Sequence, residues 1–210
     1  MNKHIQELVS RYGNKVVENR RYLHAHPELS FQEEKTARWI RDALIKAGIP
    51  MLEGISGNST VGYLKGERPG PSIGLRADID ALGLVEENKL PYKSITPGVM
   101  HGCGHDAHTA VLLAVAEILA AHRELIKGTV YFVFEQAEEF LPGGAVQLVK
   151  DGIMDKIDYM FAIHVDAENP ALSTLKKAAA LQPSARMTSK SRAKAATAAF
   201  PTRQTIRFCR

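Results

Sequence analysis

Cysteine is nearly absent from this chain: Cys103 and Cys209 are the only two in 210 residues. That excludes a disulfide-stapled secreted domain and points to a reducing, cytoplasmic setting. Long apolar runs are missing as well. None approaches the ~20 residues that span a bilayer, and the opening MNKHIQELVS has no signal-peptide core, so no membrane partner is expected. Acidic residues are missing from one region only. Residues 171–210 hold nine Lys or Arg and no Asp or Glu, whereas residues 1–170 hold 18 against 23. The net charge of +4 therefore belongs to the tail, and the body is mildly acidic. Basic charge alone could suit a nucleic acid. After residue 170 only Phe200 and Phe208 are aromatic, so stacking on bases is unsupported and no nucleic-acid partner is expected.

What is present is alternation of helix-like and strand-like segments. Ile5, Leu8, Val9, Tyr12, Val16 and Val17 recur at helical spacing and predict an amphipathic helix over 3–23. SFQEEKTARWIRDALIKAGI begins with Ser30 and Glu33 spaced as a capping box and stops at Gly48 and Pro50. AHTAVLLAVAEILAAHREL is apolar almost all round, as a buried helix is. STVGYLKG and SIGLRADID read as strands. GTVYFVFEQ and IDYMFAIHV are continuous β-branched and aromatic runs, typical of strands covered on both faces. The pattern predicts an α/β fold with a largely parallel, mixed sheet flanked by helices.

Polar clusters punctuate the ends of the apolar runs, where the loops of an open parallel sheet converge on a crevice. They are Asp78 with Asp80, Glu138 with Glu139, and His164, while a fourth cluster, Cys103 with His105, immediately precedes the buried helix. Each has a plain structural reading. His164 alone could be a core histidine, GCGH a glycine turn with a buried thiol, and the acidic pairs solvated strand ends. Together they form the thiolate, imidazole and carboxylate set that binds zinc and neighbouring divalent metals. Gly102 and Gly104 free the backbone to bend so that Cys103 and His105 can face one centre. Adjacent Glu138 and Glu139 would point in different directions, one to a metal and one to a water. Such a carboxylate can move a proton from water to a leaving group, which is a hydrolase arrangement. Asp78 and Asp80 either orient ligands or serve the strand end.

In their order along the chain, RRYLHAHPELSFQE, SIGLRADIDAL, PGVMHGCGHDAHTA, GTVYFVFEQAEE and FAIHV resemble motifs of one group. It is the metal-dependent amidohydrolase/carboxypeptidase family, which includes N-acyl-amino-acid amidohydrolases, hippurate hydrolases and auxin-conjugate hydrolases. The resemblance runs from about residue 15 to residue 170, with Gln136 standing where a proline is usual. It implies a di-metal exopeptidase-like catalytic domain in which Cys103, His105, Glu139 and His164 bind two divalent ions. Zinc suits this donor set, with manganese, cobalt or nickel as alternatives. It further implies Glu138 as general base and acid, and a small N-acyl amino acid as substrate.

Members of that family continue further, through a lid domain and a late metal-binding histidine. The resemblance thus implies that residues 1–170 are the N-terminal part of the catalytic domain. Residues 171–210, with ten alanines, no glycine and no acid, fit a frameshift that leaves a disordered tail. The family's lid motif has the form G-G-H-x-S-x-P-H. Codons for K-G-G-H-G-S-I-P-H, read one base late, give K-A-A-T-A-A-F-P-T, which is residues 194–202. Thr197 would then stand over the lid histidine. Three functions follow as expectations: an active amidohydrolase, an inactive fragment of one, or, least favoured, a nucleic-acid binder acting through the tail.

Overall fold

The computed structural model describes residues 3–165, with side chains from Ile5 onward. The division proposed at residue 170 and the basic tail lie outside the described residues. Four helices and four strands follow in the order α1 (Lys3–Ala25), α2 (Glu34–Lys46), β1 (Thr60–Lys65), β2 (Arg68–Asp78), α3 (His105–Ala121), β3 (Lys127–Glu135), α4 (Gly144–Lys150) and β4 (Tyr159–Ala162). Short 3-10 turns precede β3 and β4.

The sheet order is β1-β3-β2-β4. β2 lies between β3 and β4 and runs parallel to both, while β1 pairs antiparallel with β3. The fold is therefore α/β with a mixed, largely parallel sheet. In register, Asp78 faces Glu135 and Arg76 faces Ala162. The carboxyl ends of β2, β3 and β4 accordingly open on one rim.

The apolar runs explain the layers. Along β3, Val130, Phe132 and Phe134 join Ile40 and Leu44 of α2 and Leu112, Leu113 and Ala116 of α3. Val133 points the other way, into a second cluster with Leu148, Ile153, Ile157 and Met160. Period-two alternation thus feeds two cores, one on each face of the sheet. Phe132 and Phe134 are fully buried, and such a side chain contributes roughly 1.5–3 kcal/mol through burial alone.

Two local expectations differ from the structure. The helix over 3–23 forms, but Ile5, Val9 and Val17 remain exposed. α1 lies along α3, and a helix resting on one neighbour buries a narrow seam rather than its whole apolar stripe. The capping box at α2 does not form either. Ser30 instead donates to Asp80, and Glu33 is buried, accepting the Ala137 N–H at 2.7 Å and the Asn58 amide at 3.2 Å. Glu28 takes over the cap and receives the N–H groups of Lys35 and Thr36 at 3.3 and 2.8 Å. Tertiary partners outcompete the local backbone for Ser30 and Glu33 because a buried carboxylate, Asp80 in one case and Glu33 itself in the other, needs partners more than a helix end near solvent does.

Candidate metal centre

His105 opens α3, and Gly104 before it adopts a left-handed conformation with φ 84°. A side chain at Gly104 would also strike Val165, so only glycine permits this turn beside the end of β4. The turn buries the His105 ring at 1% exposure among carboxylates from the ends of β2 and β3.

The ring is held by Asp80. Nδ1 lies 2.9 Å from the Asp80 carbonyl oxygen and 3.0 Å from its carboxylate Oδ1. Both are acceptors, so Nδ1 carries a proton, and Nε2 is the nitrogen that offers its lone pair when the ring is neutral. Nε2 is buried and has no hydrogen-bond partner. Facing it are Asp78 Oδ2 at 3.6 Å, Glu139 Oε1 at 3.7 Å and Glu138 Oε2 at 4.0 Å. Burial opposes a charge on His105, yet Asp78, Asp80 and the Cys103 thiol outweigh it and hold the ring well above the usual histidine value. The pocket is thus built to favour positive charge at this point.

Cys103, a free thiol, and His164 complete the rim. His164 Nδ1 donates to the Val165 carbonyl at 2.7 Å, and its Nε2 lies 3.4 Å from Cys103 Sγ. The bond to Cys103 is the main cause that raises the His164 pKa, against burial. Ligand atoms of Cys103, His105 and His164 lie within 4.8 Å of one another, as do those of His105, Glu138 and Glu139. Cys103, His164, Glu138 and Glu139 therefore gather about the His105 ring. The donor set is a soft thiolate, imidazoles and carboxylates around an orphaned buried nitrogen, and it fits a divalent transition metal.

The glutamates are presented by a tight loop after β3. Ala137 takes φ 49°, an unfavourable conformation for a residue with Cβ. It is pinned by its N–H to Glu33 at 2.7 Å, and the Glu139 N–H is held by Asp80 Oδ2 at 3.0 Å. Burial raises the Glu138 pKa, with Asp78 and Glu139 adding to it and Arg76 and His105 opposing. A carboxyl group raised in this way holds a proton more readily than an ordinary glutamate does.

Around this shell lie residues that sequence reasoning missed. His108 Nδ1 donates to Asp78 Oδ1 at 2.6 Å, while its Nε2 accepts the Val165 N–H at 2.9 Å. Both ring nitrogens are used, so the third grouping of Asp78, His105 and His108 is a hydrogen-bonded strap. Its spacing of three from His105 on one helix was the available signal. Arg76 bridges Asp78 at 2.6 Å and Glu135 at 2.8 Å. With His105 and His108 it offsets the burial penalty and holds Asp78 well below the usual carboxylate range. Behind the site, Asp106 accepts His24 Nδ1 at 2.8 Å and Arg20 Nε at 3.0 Å, and His24 Nε2 meets Glu86 at 3.1 Å. The Asp106 bond is the main cause that raises the His24 pKa. The helix bearing His105 is thereby anchored to α1. His101, in the same Cys/His loop, is buried and pushed down to about 4, chiefly by desolvation.

Residues 74–200 match the model of Peptidase family M20/M25/M40. The chain is 45% identical over 161 residues to an N-acyl-L-amino acid amidohydrolase of Geobacillus stearothermophilus, covering 77% of this chain and 44% of that one. It is 39% identical over 158 residues to thermostable carboxypeptidase 1 of Saccharolobus solfataricus, covering 74% and 40%. Among solved structures it resembles the YXEP protein of Bacillus subtilis, described as a dinuclear metal binding peptidase. That match has a TM-score of 0.71 at 39% identity and covers 75% of this chain and 44% of that one. The chain spans less than half the length of each of these relatives. With the whole rim from Asp78 to His164 inside the matched segment, the chain belongs to Peptidase family M20/M25/M40.

Proposed function

We propose that this chain carries the metal-binding part of a hydrolase that cleaves the amide bond of N-acyl amino acids with water. The observation that carries the reading is the buried, partnerless Nε2 of His105, fixed by Asp80 and ringed by Cys103, His164, Glu138 and Glu139. Cys103, His105, Glu139 and His164 are the ligands of two divalent ions, zinc or else manganese, cobalt or nickel. Such ions would polarise the amide carbonyl and bring the ionisation of water towards neutrality. Glu138 takes the proton from the attacking water as the carbon–oxygen bond forms. It then delivers that proton to the amide nitrogen as the carbon–nitrogen bond breaks, leaving a carboxylate and an amine. Its raised pKa suits both halves of that transfer. A reducing cytoplasm would keep the Cys103 thiol available.

The 210-residue chain by itself should bind metal and hydrolyse N-acyl amino acids only at background. The family resemblance puts a lid and a further histidine ligand outside this half, and substrate positioning is worth several kcal/mol of the barrier. We attribute residues 171–210 to a shifted reading frame, on the strength of the KAATAAFPT string. DNA sequence around codons 168–178 tests that directly. For the site, zinc content by equilibrium dialysis and turnover of N-acyl amino acids by the purified chain are the measurements. Binding that weakens in Cys103→Ala is the expected result. Unchanged zinc affinity in that variant would refute the ligand set, and robust turnover by the native chain would refute its incompleteness.

A further inference from the structure

Glu138 and Glu139 leave β3 through a loop whose support comes partly from outside the metal rim. Glu33, the residue before α2, and Ala137, in the loop, are both fully buried. Glu33 Oε1 accepts the Ala137 N–H at 2.7 Å, and its Oε2 accepts the Asn58 side-chain amide at 3.2 Å. Asn58 also donates that amide to the Phe31 carbonyl at 3.3 Å and its backbone N–H to Gln136 Oε1 at 2.6 Å. The Gln136 N–H in turn donates to Ser59 Oγ at 3.2 Å. Residues 31–33, 58–59 and 136–137 therefore close into one polar network beside the glutamates.

The fit is close. A Cβ at Gly57 would strike the Gln136 side-chain amide, and one at Gly144 would strike the Gln136 carbonyl. A proline, which the family resemblance would put at 136, could neither donate to Ser59 nor accept from Asn58. Gln136 thus adds two ties that the usual residue would lack. Ala137 is where they matter. Its φ of 49° is strained for a residue with Cβ and persists only while its surroundings fix it. A buried N–H without an acceptor is costly, so without Glu33 the peptide would turn to find another partner. The Glu139 N–H is held separately, by Asp80 Oδ2 at 3.0 Å. Glu138 is thus bracketed by two backbone N–H groups, each bound to a buried carboxylate from a different part of the chain. One tie alone would leave a pivot, whereas two fix the direction in which both glutamate side chains leave the backbone.

Resting on the metal-hydrolase reading above, we infer that Glu33, braced by Asn58 and Gln136, is a positioning residue that sets the glutamate pair against His105. It acts through the Ala137 peptide rather than on an ion or a substrate. Loss of an outer partner of a ligand costs 10–100-fold in metal affinity, and an effect passed through the backbone should fall at the lower end, about tenfold. Cys103 and His164 come from other segments, and their share of the site should be untouched. Burial raises the Glu33 pKa, and the Ala137 N–H and the Asn58 amide oppose it. Glutamine, which offers the same oxygen without charge, is therefore the conservative replacement.

The test is the zinc affinity of the 210-residue chain, by competition with a chromophoric chelator, beside absorption spectra of the cobalt-loaded proteins. The variants are Glu33→Ala, Glu33→Gln, Glu139→Gln and the double variant Glu33→Ala with Glu139→Gln. Glu33→Ala should lose about tenfold, with altered d–d bands and a retained charge-transfer band from the Cys103 thiolate. Glu33→Gln keeps the acceptor and should stay within about twofold of the native chain. In the Glu139→Gln background, Glu33→Ala should weaken zinc by no more than about twofold, because the ligand it positions has gone. Circular dichroism reports folding, and amide exchange by NMR on the native chain serves even if Glu33→Ala does not fold. There the Ala137 amide should be protected and shifted downfield by its carboxylate acceptor. A rapidly exchanging Ala137 amide, unchanged zinc affinity in folded Glu33→Ala, failure of glutamine to rescue, or an equal loss in the Glu139→Gln background would each overturn the inference. Zinc binding that is indifferent to Glu33 leaves the parent reading standing, whereas a native chain that binds no zinc refutes the parent reading and the inference with it.

Discussion

Replacing Asp80 by Asn removes one charge at nearly constant volume, and the structure sets the size of the effect. The native carboxylate accepts from three sides, at His105 Nδ1, Ser30 Oγ and the Glu139 N–H. An amide offers one oxygen and one NH2, so at least one side meets donor against donor. If the oxygen stays with Ser30 and Glu139, His105 loses its charge-assisted partner but keeps the Asp80 carbonyl at 2.9 Å. The tautomer then survives with a less basic Nε2. Loss of such an outer partner costs 10–100-fold in metal affinity, and the retained carbonyl favours the lower end, about tenfold or ~1.4 kcal/mol. Competition with a chromophoric chelator measures zinc affinity, and thermal unfolding of the metal-free variant confirms the fold. Asp158→Asn is the control. It removes the charge from an exposed acceptor of the Ser72 N–H away from the rim, and zinc affinity should not change. A loss below about twofold in Asp80→Asn would show that the backbone carbonyl alone orients His105 and would refute the role given to the carboxylate.

The paired glutamates should separate by phenotype. In an intact relative, Glu138→Gln should retain metal and lose turnover, whereas Glu139→Gln should lose metal, and metal analysis beside an activity assay would expose a reversed assignment. His24, raised chiefly by its bond to Asp106, stabilises the fold fully below the ordinary histidine value of about 6.5. That contribution is lost as pH rises through the raised value. The melting temperature should therefore fall on the alkaline side, and His24→Gln should be destabilised by about 3–5 kcal/mol near pH 6 with a flatter alkaline limb. An identical pH profile in the variant would contradict the buried imidazolium between Asp106 and Glu86.

The sequence exposed the site more fully than the way it is held. Glu138, Glu139 and His164 stand out because donor residues follow or end apolar runs, whose ends a parallel sheet gathers on one rim, and Cys103 and His105 because rare donor types precede a buried helix. The supports left no comparable mark. Ser30 and Glu33 have the spacing of a helix cap, and spacing carries no information about a carboxylate 50 residues away or an N–H 104 residues away. Asp80 could be read as support or as strand end, and only the folded chain shows it serving three segments. The exposed half of α1 was likewise illegible, because periodicity marks an apolar stripe without saying how wide its neighbour is.

The strap from His108 to the Val165 N–H bears on how such a chain could be spliced. It clamps the residue just past His164 to the same helix that carries His105, so His164 is registered against its neighbours by a local bond. A chimera joined after Val165 to the corresponding half of a relative should then inherit this histidine already in place. The junction would have to match the new half to the sheet, without rebuilding the cluster of Cys103, His105 and His164.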